Sequence, residues 1–165
     1  MLKRYTIVGA IFVLLIGTLN HFLYDWTGKC WLIGLFTPIN ESTWEHMKLL
    51  FFPMLIIAPV LYNTFKNSHP CIEPALLSGI LAGTLLIPVL FYTYTGILGR
   101  NYFVLDIATF VLSVIVAFFF TYKYANKCTK KPQTNLLMFV VILFALFFGI
   151  FTYFPPNIAL FLQPQ

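Results

Sequence analysis

The sequence has very little charge. It holds ten basic and five acidic residues among 165, so that 9% of the chain is charged while 60% is hydrophobic. A soluble domain of this length needs far more charge to cover its surface. The shortage excludes an ordinary soluble domain and indicates a membrane protein.

The chain also lacks the motifs of several function classes. It has no glycine-rich phosphate loop, no dinucleotide-binding fingerprint and no pattern of basic and aromatic residues, so we expect no nucleic-acid partner. Its three cysteines form no CxxC pair, and the topology below places Cys30 on one side of the membrane with Cys71 and Cys128 near the other. They therefore predict no structural disulfide framework.

Five continuous apolar runs are long enough to cross a membrane, which takes about 20 residues. They predict an all-α integral membrane bundle of about five transmembrane helices, forming one domain over residues 1–165. Continuous runs exclude a barrel, whose strands alternate in polarity. The predicted spans are residues 5–23, 44–65, 74–95, 102–124 and 135–154.

Basic residues predict the orientation of these spans. A cytoplasmic N-terminus and an outer C-terminus place most of them inside, as the positive-inside rule requires. We therefore expect a multi-pass protein of the plasma membrane, with the lipid bilayer as its surroundings. The apolar run 30–36 between the first two spans is too short to cross, and we predict an interfacial or re-entrant segment there. The inner residues are Lys3, Arg4, Lys66, Lys123, Lys127, Lys130 and Lys131, and the outer ones are Lys29, Lys48 and Arg100.

Polar side chains gather near the outer ends of the spans, whereas the inner halves are almost wholly apolar. Ionisable groups within a bilayer are costly unless they pair or face water, so their gathering predicts a functional pocket. A hydrogen-bonded network that only closes the helix ends is the alternative. The predicted binding residues are Asn20, His21, Asp25, Asn40, Glu41, Trp44, Glu45, His46, Tyr92 and Asp106.

The polar residues are densest in the stretch PINESTWEHMK, where the second span begins. Ser42 and Glu45 have the spacing of a capping box, in which Ser42 accepts from the Glu45 amide and Glu45 reaches back. Glu45 and Lys48 can pair on the helix surface, and Trp44 suits the interfacial belt. Glu41 would place a second carboxylate on the Glu45 face, which favours a cation or a shared proton between them.

Histidines and a carboxylate from three spans predict a metal site at the outer ends. His21, His46 and Asp106 would offer the mixed nitrogen and oxygen ligands that suit zinc or another divalent ion. Their spacing along the chain matches no established zinc motif, because no two histidines are three to five residues apart.

Three functions fit these features. The first is a non-enzymatic protein whose pocket binds a small polar ligand, an ion or a lipid headgroup. The second is a metal-dependent hydrolase acting on lipid or peptide at the outer leaflet, with Glu45 or Glu41 as general base and Ser42 as hydrogen-bond donor or nucleophile. The third is a structural or assembly subunit, or a homo-oligomer, in which the small residues Gly79, Ala82 and Gly83 allow close helix contact.

Two motifs resemble the signature of a known family. NHFxYxW, from Asn20, and PxNESxWEHxK, from Pro38, resemble a family of small uncharacterised bacterial membrane proteins, mostly from Firmicutes, and the similarity covers the whole chain. It implies a membrane fold and no established activity. The segment NESxWxH, from Asn40, is also similar to the start of a helix in the membrane hydrolase superfamily of alkaline ceramidases and adiponectin-type receptors. That likeness implies metal-dependent hydrolysis, although those proteins take ligands from a histidine pair in a late helix and the last span here has no histidine.

Overall fold

The computed structural model describes residues 1–129 and 132–163, and over these residues it contains helices and no strands. A single helical turn, α2, lies between the first two long helices, and a 3₁₀ turn follows the last one. The predicted spans agree with the long helices to within about three residues at each end, the uncertainty expected of helix boundaries. The elements are α1 (Leu2–Trp26), α2 (Trp31–Gly34), α3 (Thr43–Phe65), α4 (Ile72–Leu98), α5 (Phe103–Lys127), α6 (Asn135–Tyr153) and the 3₁₀ turn Ala159–Phe161.

All five long helices are long and apolar enough to cross a membrane. The shortest, α6, has 19 residues, and at 1.5 Å per residue it reaches about 28 Å, close to the roughly 30 Å hydrocarbon core of a bilayer. Many Ile, Leu, Val and Phe side chains on the outer faces of the helices are exposed, which suits a lipid environment. The predicted all-α class is thereby confirmed, and the five apolar helices suggest a multi-pass membrane protein, while the topology and the orientation stay predictions. Lys130 and Lys131, which contribute to that prediction, lie outside the described residues.

Contacts between helix termini define two ends of the bundle. At the cysteine end, Cys71 lies against Cys128. At the histidine end, His21 lies against His46. Helices α1, α4 and α6 run from the cysteine end to the histidine end, and α3 and α5 run back.

The cysteines correct one prediction. Cys71 and Cys128 are joined by a disulfide, with their Cα atoms 5.9 Å apart, so the expectation of no disulfide is wrong. Cys71 precedes α4 and Cys128 follows α5, and these two helices pack against each other over much of their length. The free cysteine is Cys30, which is exposed and follows α1 at the histidine end.

Small and hydroxyl-bearing residues let α4 and α5 approach closely. A Cβ atom added to Gly79 would overlap the Thr121 hydroxyl, and one added to Gly83 would lie 2.7 Å from the Ala117 Cβ. The Thr121 hydroxyl also donates to the Ala75 carbonyl across the contact, at 3.2 Å. Small residues at membrane-helix contacts allow this kind of close packing. The two glycines are therefore used within one chain, and the homo-oligomer stays a prediction.

Candidate metal centre

Two histidines and a carboxylate converge at the histidine end. The Nε2 atoms of His21 and His46 are 3.3 Å apart. The Glu41 Oε2 atom lies 3.4 Å from the His46 Nε2 and 3.6 Å from the His21 Nε2. Within the described residues, these three form the one group of His, Cys, Asp or Glu side chains placed to share a metal ion.

The distances between these three ligand atoms, which form a triangle, can be compared with the ligand spacings of common metal ions. A tetrahedral zinc ion with ligands at 2.0–2.1 Å spaces those ligands about 3.3–3.4 Å apart. An octahedral magnesium ion at the same radius spaces neighbouring ligands only about 2.9 Å apart and prefers oxygen to nitrogen. The observed edges of 3.3, 3.4 and 3.6 Å lie nearer the tetrahedral value. The two nitrogen donors and the dimensions of the triangle are therefore compatible with zinc or a similar transition metal.

The hydrogen bonds of His46 prepare its other nitrogen for such a role. The His46 Nδ1 atom lies 2.9 Å from the Ser42 carbonyl oxygen, which only accepts, so Nδ1 carries a proton. The Nε2 atom is then free to share a proton with Glu41 or to donate its lone pair to a metal. A backbone carbonyl that orients a ligand histidine in this way is a common feature of metal sites.

The charge state of Glu41 also suits a ligand. The hydrogen bond with His46 lowers the pKa of the Glu41 carboxyl below its ordinary value, and attraction to the two imidazoles acts in the same direction, although partial burial opposes it. A lowered pKa keeps the carboxylate ionised throughout the neutral range. The Glu41 side chain is 63% exposed, so the site is open on this side.

A tight turn places Glu41 between the two histidines. The Asn40 Oδ1 atom accepts from the Ser42 amide at 2.9 Å, which closes a turn around Glu41 just before α3 begins. His46 follows in the first turn of α3, and His21 lies near the end of α1. The three ligand candidates thus come from two helices and the turn between them.

The capping box is half confirmed. The Ser42 hydroxyl accepts from the Glu45 amide at 3.4 Å and caps α3, as predicted. The Glu45 carboxylate, however, does not return to the Ser42 amide, whose partner is Asn40. Because the Ser42 hydroxyl serves the helix, its predicted role as nucleophile or substrate donor has no support in these contacts.

Glu45 pairs with Lys48 as predicted, but in the interior instead of on the surface. The Lys48 Nζ atom lies 2.8 Å from the Glu45 Oε2 atom, and the two side chains are 0% and 2% exposed. Lys48 also donates to the carbonyls of Gly34 and Thr37 and to the Thr152 hydroxyl. Glu45 is thus occupied by these partners and is not a free base beside the histidines.

Asp106 lies beside the centre and not in it. A cavity of about 350 Å³ opens between α3, α4 and α5, and Glu41, His46 and Asp106 all line it. Its remaining walls include the apolar residues Leu49, Ile87, Phe91, Phe103 and Phe110. The Tyr94 hydroxyl donates to the Asp106 Oδ1 atom. Asp106, predicted as a metal ligand, is replaced in the converging set by Glu41.

The remaining predicted binding residues have simpler surroundings. Trp44 is buried against the rings of Phe148, Phe151 and Phe161 and is not an exposed interfacial residue. Asn20 is half-buried on α1, one residue before His21, while Asp25 and Tyr92 are exposed. Asn40 shapes the turn that carries Glu41, and its binding role is therefore indirect.

Comparison with known proteins adds a family to this geometry. A model for a family of unknown function, DUF6512, matches residues 1–164. The chain belongs to this DUF6512 family. The expected membership of an uncharacterised family that spans the chain is thereby confirmed, and the likeness to bacterial proteins and to membrane hydrolases stays a prediction. No curated protein and no solved structure matches the chain.

Proposed function

We propose that this DUF6512 member is a membrane metalloprotein that binds one zinc-like divalent ion through His21, His46 and Glu41. The observation that carries the proposal is the triangle of their ligand atoms, with edges of 3.3–3.6 Å. Three protein ligands leave the fourth tetrahedral position open, as in catalytic and ligand-binding zinc sites. Glu41 and His46 also line the cavity of about 350 Å³, so a polar ligand bound there would lie beside two of the three residues that would hold the ion.

Metal titration of the purified protein tests this proposal. We expect one Zn²⁺ per chain in detergent, and we expect Co²⁺ in its place to give the strong visible absorption of a tetrahedral site. Glu41→Gln keeps the shape of the side chain but removes its charge, so it should weaken Zn²⁺ binding and shift the Co²⁺ spectrum. A folded wild-type protein that binds no Zn²⁺ would contradict the proposal, and the cluster would then be a hydrogen-bonded closure of the helix ends.

A metal-dependent hydrolase is the second candidate function, and the position of Asp106 favours it. Asp106 lines the same cavity as two of the proposed ligands, and Tyr94 holds one of its carboxylate oxygens. A carboxylate beside a metal-bound water is a suitable general base, because the metal lowers the pKa of that water towards neutrality. Asp106 takes this role in place of Glu45, whose carboxylate is buried with Lys48.

If the protein is a hydrolase, a substitution at Asp106 should lower turnover without affecting Zn²⁺ binding. Zn²⁺-loaded protein in lipid vesicles should hydrolyse at least one member of a panel of ester lipids, amide lipids and short peptides. Asp106→Asn should then lower turnover by at least about 100-fold, the usual range for losing a general base, and leave the Zn²⁺ content unchanged. Loss of Zn²⁺ in this variant would instead make Asp106 a ligand.

We propose that the histidine end faces the outside of the plasma membrane. Five of the described basic residues lie at the cysteine end, and Lys48 at the histidine end is buried and paired, which leaves Lys29 and Arg100 exposed there. The positive-inside rule then favours a cytoplasmic cysteine end. The disulfide at that end argues in the opposite direction, because the cytosol keeps thiols reduced. The five residues are Lys3, Arg4, Lys66, Lys123 and Lys127.

Labelling of Cys30 decides the orientation. This free, exposed thiol lies at the histidine end, so a membrane-impermeant maleimide should label it in intact cells if that end is outside. Cys30→Ser is the matched control and should abolish the labelling, because the other two cysteines are joined to each other. If Cys30 is labelled only in permeabilised cells, the proposed orientation is wrong and the histidine end faces the cytoplasm.

A further inference from the structure

We propose that the buried Glu45–Lys48 pair is a positioning device for the metal centre, and that it acts by holding the turn that carries Glu41. The proposal rests on the metal-binding function given above. The hydrogen bonds and the ion pair that the structure gives to the Glu45 and Lys48 side chains involve neither His21 nor His46. They act on the chain just before Glu41.

Both members of the pair form hydrogen bonds with the backbone before Glu41, Lys48 as donor and Glu45 as acceptor. The Lys48 ammonium donates to the carbonyls of Gly34 and Thr37, at 2.9 and 3.3 Å. The Glu45 Oε2 atom accepts from the Ile39 amide at 2.9 Å. Three backbone groups from the end of α2 to Ile39 are therefore fixed to side chains of α3, and Glu41 follows the last of them by two residues.

The same pair anchors this segment to the last long helix. Thr152 of α6 lies next to both charges. Its hydroxyl oxygen accepts from the Lys48 ammonium, and its single proton lies within reach of both the Glu45 Oε1 atom, at 3.0 Å, and the Phe148 carbonyl oxygen, at 2.6 Å. Each ammonium proton of the pair thus has an acceptor, and each carboxylate oxygen has a donor within hydrogen-bond distance. A fully hydrogen-bonded network in a low-dielectric interior is rigid, because any displacement leaves a buried charge without a partner.

A buried ion pair is weak evidence for a role in stability alone. Apolar side chains of similar volume often support a fold equally well or better, because burying two charges costs about as much as their attraction returns. The pair instead fixes the conformation of the 34–39 backbone, because its hydrogen bonds can form with only one arrangement of that backbone. Outer groups that orient metal ligands typically change metal affinity about 10–100-fold when they are removed.

The test uses the full-length protein with both charges removed together, Glu45→Gln/Lys48→Met. We expect this variant to fold with a melting temperature near that of the wild type, but to bind Zn²⁺ about 10–100-fold more weakly. Hydrogen–deuterium exchange should rise over residues 35–42. Thr121→Val is the matched control, because it removes a buried hydroxyl bond at the cysteine end and should leave the Zn²⁺ affinity unchanged.

A double-mutant cycle identifies the route through Glu41. If the pair acts by placing the Glu41 carboxylate, the same two changes should have little further effect on Zn²⁺ affinity in the Glu41→Gln background. Equal losses in both backgrounds, or wild-type affinity in Glu45→Gln/Lys48→Met, would overturn the proposal. If the wild type binds no Zn²⁺, the metal-binding function fails, and unchanged exchange over residues 35–42 would separately overturn the positioning role.

Discussion

Alanine at His46 is expected to reduce bound zinc from about one ion per chain to background. The substitution removes one of three protein ligands, and losing a direct ligand should cost more than the roughly 10–100-fold that follows from losing an orienting group. We therefore expect the affinity for Zn²⁺ to fall by at least about 100-fold. Metal analysis by mass spectrometry on dialysed, detergent-purified protein measures the content, and competition with a chelator of known affinity measures the constant.

His69→Ala is the matched control for that experiment. His69 is the third histidine of the chain, lies at the cysteine end and contacts Ser68 and Phe65. Its removal should leave the zinc content unchanged. His46→Ala should itself stay folded, because it removes the hydrogen bond to the Ser42 carbonyl, worth about 1 kcal/mol, and otherwise only contacts to Glu41 and His21 at the half-open site. Zinc that persists in His46→Ala, or that falls equally in His69→Ala, would contradict the proposed centre.

The sequence predicts the helices and the gathering of polar groups for clear physical reasons. A span is recognised by the length of its apolar run, which does not depend on how helices pack. Alternating directions of consecutive spans then decide which residues share an end. This reasoning predicts that His21, His46 and Asp106 lie at one end of the bundle, and the contacts at the histidine end agree.

The identity of the third ligand depends on details that one sequence does not carry. Asp106 lies on α5, and its direction is set by the rotation of that helix about its axis, which packing decides. Glu41 lies outside the helix, in a turn that Asn40 closes. A carboxylate one residue before a helix cap reads as an ordinary loop residue. The closeness of the Glu41 carboxylate to both histidines follows from the conformation of this turn, which the sequence does not specify.

Burial of the ion pair was equally hidden. An i,i+3 pair of Glu45 and Lys48 reads the same on a wet surface and in a bundle interior. What the sequence pattern does not show is that both charges meet Thr152, which lies more than a hundred residues further along the chain, and that Lys48 meets the Gly34 carbonyl at the end of α2. The disulfide is not predicted from the sequence for a similar reason. It depends on the packing of α4 beside α5, which brings Cys71 and Cys128 together.

Replacing Lys48 with methionine is expected to lower the free energy of unfolding by about 3–5 kcal/mol, the range for removing one partner of a buried ion pair. Methionine fills a similar volume, so little of this loss comes from packing. The loss arises because the Glu45 carboxyl group, 2% exposed, is left buried without its counter-ion. The carbonyls of Gly34 and Thr37 lose a donor at the same time. Denaturant unfolding in mixed micelles measures the change.

Two further variants show whether charge is the cause. Lys3→Met removes an exposed lysine from α1 and should change the free energy of unfolding by no more than about 0.5 kcal/mol, as surface substitutions do. Glu45→Gln/Lys48→Met removes both buried charges and should recover most of the stability that Lys48→Met loses, because no charge is left unpaired. If the double variant is as unstable as Lys48→Met, then the lost hydrogen bonds to the 34–39 backbone, and not the isolated carboxylate, set the cost.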